Sequence, residues 1–355
     1  MNLHSSLSRR SLLRSLGYSA TAAAALITMS ACSSGTAAQK AAAQSSATQS
    51  TAALKPFTIG LTYTPNIQFA PFYLAAHKGY YQMPSGQAEL RHHGAQEGLF
   101  DALIAGTEDL VVAGADEATV ARSNGADLVI VGGYYQTYPV VIIVDEESPI
   151  HSLTDLRGKT VGIPGHYGEN YYGLTLALQT AGLTPEDLTI EEIGWTQAAA
   201  LIGGKVDAIV GFVNNDAVML NHADHPVRTL TVAPEVPLIG ASLITTPKVL
   251  TERAEDLQHV VKASALGMDS FVDDPAGAVQ ACVSYVPDLA DAEQAAVAQQ
   301  VAIATAHLIR PSSDSVIGSV NSEHVGHMLD FLASHELLGE QGVTVEQISK
   351  PVDLN

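Results

Sequence analysis

The sequence predicts an α/β protein of two lobes joined by two crossing strands. Three observations carry this expectation. Short apolar runs end in small polar residues and are followed by apolar residues at helical spacing, which is the strand, elbow and helix of half a βαβ unit. The clearest case is residues 205–221. Residues 206–213 read as a buried strand, Asn214-Asn215-Asp216 as a polar elbow, and the next apolar run as a helix. The alternation is interrupted by a β-branched run at 140–144, restarts at Ser152, and meets a second such run at 239–245. From Thr251 onward the pattern is mostly helical.

Taken in order, the first strand covers 57–63 and stops at Thr64-Pro65-Asn66, because proline cannot donate to a ladder. A helix follows over 69–78, with Gly79 as its stop. Strands are expected at 88–92, 109–113 and 128–132, and a helix at 96–105. Gly114-Ala115-Asp116-Glu117 reads as a polar elbow before a helix that runs to about Asn124, and residues 134–138 as an aromatic loop. The second lobe has strands at 159–163, 188–193, 206–213 and, more weakly, 227–232. Its helices are expected at 169–181 and 197–203. The closing helices are expected at 252–272, 275–286, 290–308 and 323–334. The first lobe is therefore residues 55–142 and 241–355, and the second is residues 143–240. A ligand cleft lies between them.

Residues 1–31 read as an export signal. Ser8-Arg9-Arg10-Ser11-Leu12-Leu13 has the twin-arginine pattern, and 20–29 is a small-residue apolar run too short for a stable anchor. Met29-Ser30-Ala31-Cys32 has the form of a lipobox with Cys32 as the acylated residue. Residues 32–54 hold no aromatic side chain and read as a flexible tether. The expectation is an exported protein, lipid-anchored to the outer face of the cytoplasmic membrane and monomeric. The chain has 37 Asp and Glu against 17 Lys and Arg, for a net charge of −20. Arg9, Arg10 and Arg14 would leave with the signal and make the balance more negative still. Such a surface argues against nucleic acid and against a domain lying on anionic lipid. With Cys32 lipidated, Cys282 is the one other cysteine, so no disulfide framework is expected.

Aromatic residues follow several strand ends: Tyr63, Phe69, Tyr134, Tyr135, Tyr167 and Trp195. A flat ring binds well between aromatic faces because both of its sides are buried. Tyr63, Tyr167 and Trp195 are placed first for that role. Gly165 to Gly168 leads into a helix whose N-terminus favours an acceptor group. The acids of the Gly114 to Glu117 elbow disfavour an anion there. Gly158-Lys159-Thr160 is not a phosphate loop, since no glycine stands five residues before Gly158. His92-His93, His222 with His225, and His324 with His327 lack accompanying ligands at a recognisable spacing, so no metal is expected.

Five stretches together resemble one family: Tyr63-Thr64-Pro65-Asn66, Lys78-Gly79-Tyr80-Tyr81, residues 162–168, residues 204–208 and Asn214-Asn215-Asp216. They are similar to the substrate-binding lipoproteins of bacterial ABC importers that capture thiamine pyrimidine precursors. That group is related to the yeast pyrimidine synthase and, more distantly, to sulfonate-binding proteins. The resemblance implies a type II periplasmic-binding-protein fold. It also implies a heterocyclic ligand, most simply an aminopyrimidine, and partnership with ABC permease and ATPase subunits. Riboflavin is the alternative ring. The ligand set it implies is Tyr63, Asn66, Phe69, Tyr135, Tyr167, Trp195, Asn214, Asn215 and Asp216, with Asp216 accepting from a ring amine. Members commonly carry Trp at the place of Tyr63 and Glu at that of Asp216. The rival from another class is an enzyme like the yeast relative. That chemistry, as the resemblance implies, needs pyridoxal phosphate and a cysteine-rich iron site. This chain has no cysteine cluster, so no cofactor and no catalytic residue are expected.

Overall fold

The structure, a computed structural model, describes residues 55–62, 64–94 and 97–354. The expected signal, the tether, Cys32 and Tyr63 lie outside the described residues. The first lobe opens with β1 (Thr58–Leu61), α1 (Ala70–His77), a small hairpin of β2 (Gln82–Met83) and β3 (Gly86–Gln87), and β4 (Glu89–His92). It continues with α2 (Asp101–Ile104), β5 (Leu110–Gly114), α3 (Ala115–Ser123) and β6 (Val129–Gly133). The second lobe is β7 (Val140–Asp145), β8 (Thr160–Ile163), α4 (Gly168–Ala181), β9 (Thr189–Glu192), α5 (Gln197–Ile202), β10 (Ala208–Phe212), α6 (Asp216–His222) and β11 (Val227–Thr231). β12 (Ala241–Thr245) returns to the first lobe. After it come α7 (Pro247–Glu252), α8 (Ala254–Asp273), α9 (Pro275–Cys282), α10 (Ala292–Ile309), α11 (Ser322–Ser334) and α12 (Val345–Ile348).

Each lobe holds a five-stranded sheet, ordered β4-β1-β5-β12-β6 in the first and β11-β7-β10-β8-β9 in the second. β12 runs antiparallel between β5 and β6, and β7 runs antiparallel between β10 and β11. The two antiparallel strands are the two crossing strands. Their Val and Ile side chains are buried because a central strand is covered on both faces. The expected lobe boundary at 142/143 falls inside β7. All of β7 pairs within the second sheet, from Val140 opposite Phe212 to Asp145 opposite Val227, so that sheet begins at Val140. β12 starts at Ala241.

Four elements differ from expectation. The helix at 96–105 shrinks to α2, because Gly94 and Gly98 favour a turn and Glu97 is drawn off to Arg91, at 2.7 Å. The Gly114 elbow is no loop: β5 ends at Gly114 and α3 begins at Ala115, so Asp116 and Glu117 fill its first turn. The helix at 252–272 breaks at Arg253, which turns its guanidinium to Asp109 and Asp256. The helix at 275–286 stops at Cys282, since Pro287 restricts the residue before it and the chain tightens into a 3₁₀ turn at Pro287–Ala290.

The first lobe's main core lies between its sheet and α1, α8, α9 and α10, with Phe72, Tyr73, Tyr81 and Phe271 fully buried. α1 and α8 meet closely at Gly267, where a Cβ would stand 2.3 Å from the Pro71 carbonyl. The C-terminal tail covers the β6 edge: Lys350 N donates to Ile130 O and Val352 N to Val131 O, both at 2.8 Å. This protects an edge that would otherwise offer unpaired backbone groups. In open α/β folds ligands bind at the C-terminal ends of parallel strands; here β5 and β8 end at the junction of the lobes, where Glu117 and Glu169 approach.

Candidate functional site

On the second lobe, three strand ends supply the site. β8 runs out into Pro164-Gly165-His166-Tyr167 before α4. Tyr167 is 58% exposed, and its ring lies over Gly165, where a Cβ would be 2.4 Å from Cε1. β9 leads to Trp195, which is 66% exposed. Between these two loops, His166 Nδ1 and Glu192 Oε1 pair at 2.6 Å, and the His166 ring meets Tyr171 edge-on. β10 ends in the Asn-Asn-Asp elbow. Asn214 is fully buried, and its Nδ2 donates to Thr305 Oγ1 at 2.9 Å and to Tyr135 Oη at 3.3 Å. Its Oδ1 is buried without a hydrogen-bond partner. Asn215 is half-buried and makes no side-chain cap to α6. Asp216 turns back on its own loop, where Oδ2 accepts from Phe212 N at 2.7 Å. Burial raises its carboxyl above the ordinary range, and the Phe212 N–H pulls it back.

On the first lobe, Asn66 Oδ1 accepts from Gln68 N at 2.9 Å and caps the 3₁₀ turn Ile67–Phe69. Phe69 is buried, edge-on to His92. Tyr134 is also buried; its hydroxyl donates to Gln68 O and its ring tilts against Tyr135 at 4.4 Å. Tyr135 follows β6 and receives the Asn214 amide, so a buried hydrogen bond ties the lobes together. Burial pushes the Tyr135 hydroxyl well above its usual range and holds it neutral. The structure therefore joins Tyr135 with Asn214, and it places Phe69 and Tyr134 in the core.

One constellation escaped the sequence reading. Oxygens of Asp116 and Glu117, at the start of α3, lie within 4.8 Å of an oxygen of Glu169, at the start of α4. Tyr138 Oη donates to Asp116 Oδ2 at 2.9 Å or to the Glu169 carbonyl at 3.0 Å. Asp116 Oδ1 accepts from Glu117 N at 2.7 Å, and Glu117 Oε2 from Gly114 N at 3.3 Å. Burial, then the neighbouring charges, pushes the Asp116 and Glu169 carboxyls well above the ordinary range. Burial raises Glu117 to about 7. Gly168 has φ +70°, and a Cβ there would lie 2.8 Å from Glu117 Oε1. That glycine both starts α4 and admits the carboxylate of the other lobe. No sequence signal joins Glu117 with Glu169, because they meet only when the lobes pack.

A cavity of about 500 Å³ lies elsewhere, at the N-terminal ends of the first sheet, beside Lys55, Ile104, Asp109 and Arg253. Among its cations, Lys55 bonds the Gly106 and Thr107 carbonyls and Arg253 pairs with Asp109. We place the site at the lobe junction, where the strand ends and the unpartnered Asn214 oxygen are.

Residues 66–278 match the family described as NMT1/THI5 like. The chain belongs to the NMT1/THI5-like family. Among curated relatives, it is 31% identical to the riboflavin-binding protein RibY of Chloroflexus aurantiacus over 237 residues, 66% of this chain and 68% of the relative. It is 21% identical to the formylaminopyrimidine-binding protein of Halalkalibacterium halodurans over 311 residues, 85% of this chain and 92% of the relative. Other relatives are named as 4-amino-5-hydroxymethyl-2-methylpyrimidine phosphate synthases. Among solved structures, the aliphatic sulphonate binding protein SsuA of Escherichia coli superposes with a TM-score of 0.67 at 21% identity, over 85% of this chain and 94% of that one. The NMT1/THI5-like chain thus has the periplasmic-binding-protein fold.

Proposed function

We propose that this protein is the extracytoplasmic solute-binding component of an ABC importer, with no catalytic role, and that it captures a flat nitrogen heterocycle. The observation that carries the reading is the exposure of Tyr167 and Trp195 at neighbouring strand ends of the second lobe. Large aromatic faces left in water favour a stacked ring. Asn214 Oδ1, buried and unpartnered, supplies an acceptor for a ring N–H. Tyr63, Asn66 and Asn215 complete the proposed contacts, and lobe closure would deliver the solute to a permease.

Riboflavin is the first ring to test. Two aromatic faces suit a wide fused ring, and the similarity to the riboflavin-binding relative is the stronger of the two in identity. An aminopyrimidine is the second. Its amine has less support from Asp216, whose Oδ2 is committed to Phe212 N. Mass spectrometry of the small molecule that co-purifies from rich medium tests the class. A flavin or aminopyrimidine is expected, and a sulfonate or a peptide would overturn the reading.

A further inference from the structure

We propose that Asp116, Glu117 and Glu169 form a binding site for a hard divalent cation of the calcium type, linking the two lobes. The inference goes beyond capture of a ring and does not depend on it.

The donors are all carboxylate oxygens, which suit calcium or manganese better than zinc or copper. Oxygens on opposite sides of a Ca²⁺ ion at about 2.4 Å are about 4.8 Å apart. One oxygen from each of the three residues lies within 4.8 Å of the others, close enough for a single ion to reach all three. Magnesium demands a near-ideal octahedron and gives up its waters reluctantly, so three converging carboxylates suit it less well. Asp116 Oδ1, Asp116 Oδ2 and Glu117 Oε2 each accept one hydrogen bond, and a carboxylate oxygen keeps a second lone pair for an ion.

Glu169 supplies the independent observation. Glu169 is 8% exposed, and its Oε1 is buried with no hydrogen-bond partner. That oxygen lies 2.8 Å from the Cβ position of Gly114 and 3.0 Å from that of Gly240, so two glycines clear its place beside the acids of α3. The charges that act on Asp116 and Glu169 are those of the cluster itself, with no cationic side chain among them. An ion would give Oε1 its missing partner and offset the mutual repulsion. The N-termini of α3 and α4 already offset part of it. The expected affinity is therefore modest, in the range of about 10⁻⁴–10⁻³ M seen in extracellular calcium modules. Asp116 and Glu117 come from the first lobe and Glu169 from the second, so the bound ion would favour the closed arrangement.

The test uses the full chain stripped with EDTA and titrated at pH 7.5 with CaCl₂, MgCl₂ and MnCl₂. Calorimetry follows Ca²⁺ and Mg²⁺, and electron paramagnetic resonance follows free Mn²⁺. One Ca²⁺ or Mn²⁺ per chain with a Kd below about 1 mM, a raised Tm, and weaker Mg²⁺ binding are expected. Glu169→Gln should weaken Ca²⁺ at least tenfold, while Glu192→Gln, at the exposed His166 pair, should leave it unchanged. If Glu169→Gln fails to fold by near-ultraviolet circular dichroism, the half-buried Glu117→Gln carries the same comparison. Absence of saturable binding overturns the site. So does equal binding by parent, Glu169→Gln and Glu117→Gln, which would mark an adventitious surface ion only. None of these readouts involves a ring ligand, so failure here leaves the proposed function standing.

Discussion

The two walls of the lobe junction hold similar residues and treat them in opposite ways. On the first lobe, Phe69, Tyr134 and Tyr135 are buried and have ring or hydrogen-bond partners. On the second, Tyr167 and Trp195 are more than half exposed. Burial of a large aromatic stabilises the fold, and exposure of one leaves binding energy unused. The first wall is therefore a finished structural face, and the second is the face we propose a ring covers.

Substitutions can break this comparison. The largest effect should come from Tyr134→Ala, which removes a fully buried ring and leaves the Gln68 carbonyl without its hydroxyl donor. A loss of about 3–5 kcal/mol in folding stability is expected by denaturant titration. A loss under about 1 kcal/mol would show that the first wall is looser than its packing indicates.

Trp195→Ala should do the reverse. Ring binding should weaken by about 1–3 kcal/mol, measured calorimetrically with riboflavin, while stability shifts by less than about 0.5 kcal/mol. A destabilised protein of unchanged affinity would move Trp195 to the structural class.

Tyr135→Phe sits between the two. It removes the hydroxyl that accepts from Asn214 and should cost about 1 kcal/mol of stability, with Thr305 still holding the amide. Unchanged stability would mean that water replaces the bond.

Asp216 gives the smallest effect and a pH test. Its folded carboxyl is raised by burial, so the folded state holds the proton more tightly than the unfolded chain. Stability should therefore fall as pH rises from the unfolded value near 3.8 through the higher folded value. Asp216→Asn keeps an acceptor for Phe212 N and should flatten that slope, with riboflavin affinity held within about twofold. A tenfold loss toward an aminopyrimidine alone would return Asp216 to reading a ring amine.

The strand ends were legible because periodicity and turn residues are local. The sequence reading therefore found the loops of Tyr167, Trp195 and Asn214 and both crossing strands. It ranked Trp195 ahead of Tyr134 but kept buried Phe69 and Tyr135 in the same ligand set as exposed Trp195, because each follows a strand end and the difference lies in what packs against the first wall. Asp216 has two local uses, cap or ligand contact, and only the return of its carboxylate to Phe212 N distinguishes them. The meeting of Glu117 with Glu169 was invisible, since it arises from the packing of α3 against α4 across the lobes.

The central claim is that a heterocycle covers the aromatic face of the second lobe. Trp195 is the single tryptophan of the chain, so its emission reports that face alone. Titration with riboflavin, and separately with an aminopyrimidine, should change this emission in a saturable way at one ligand per chain for at least one of the two. The Kd should match calorimetry. Calorimetric binding with an unmoved Trp195 emission would contradict the account, as would no binding of either ring.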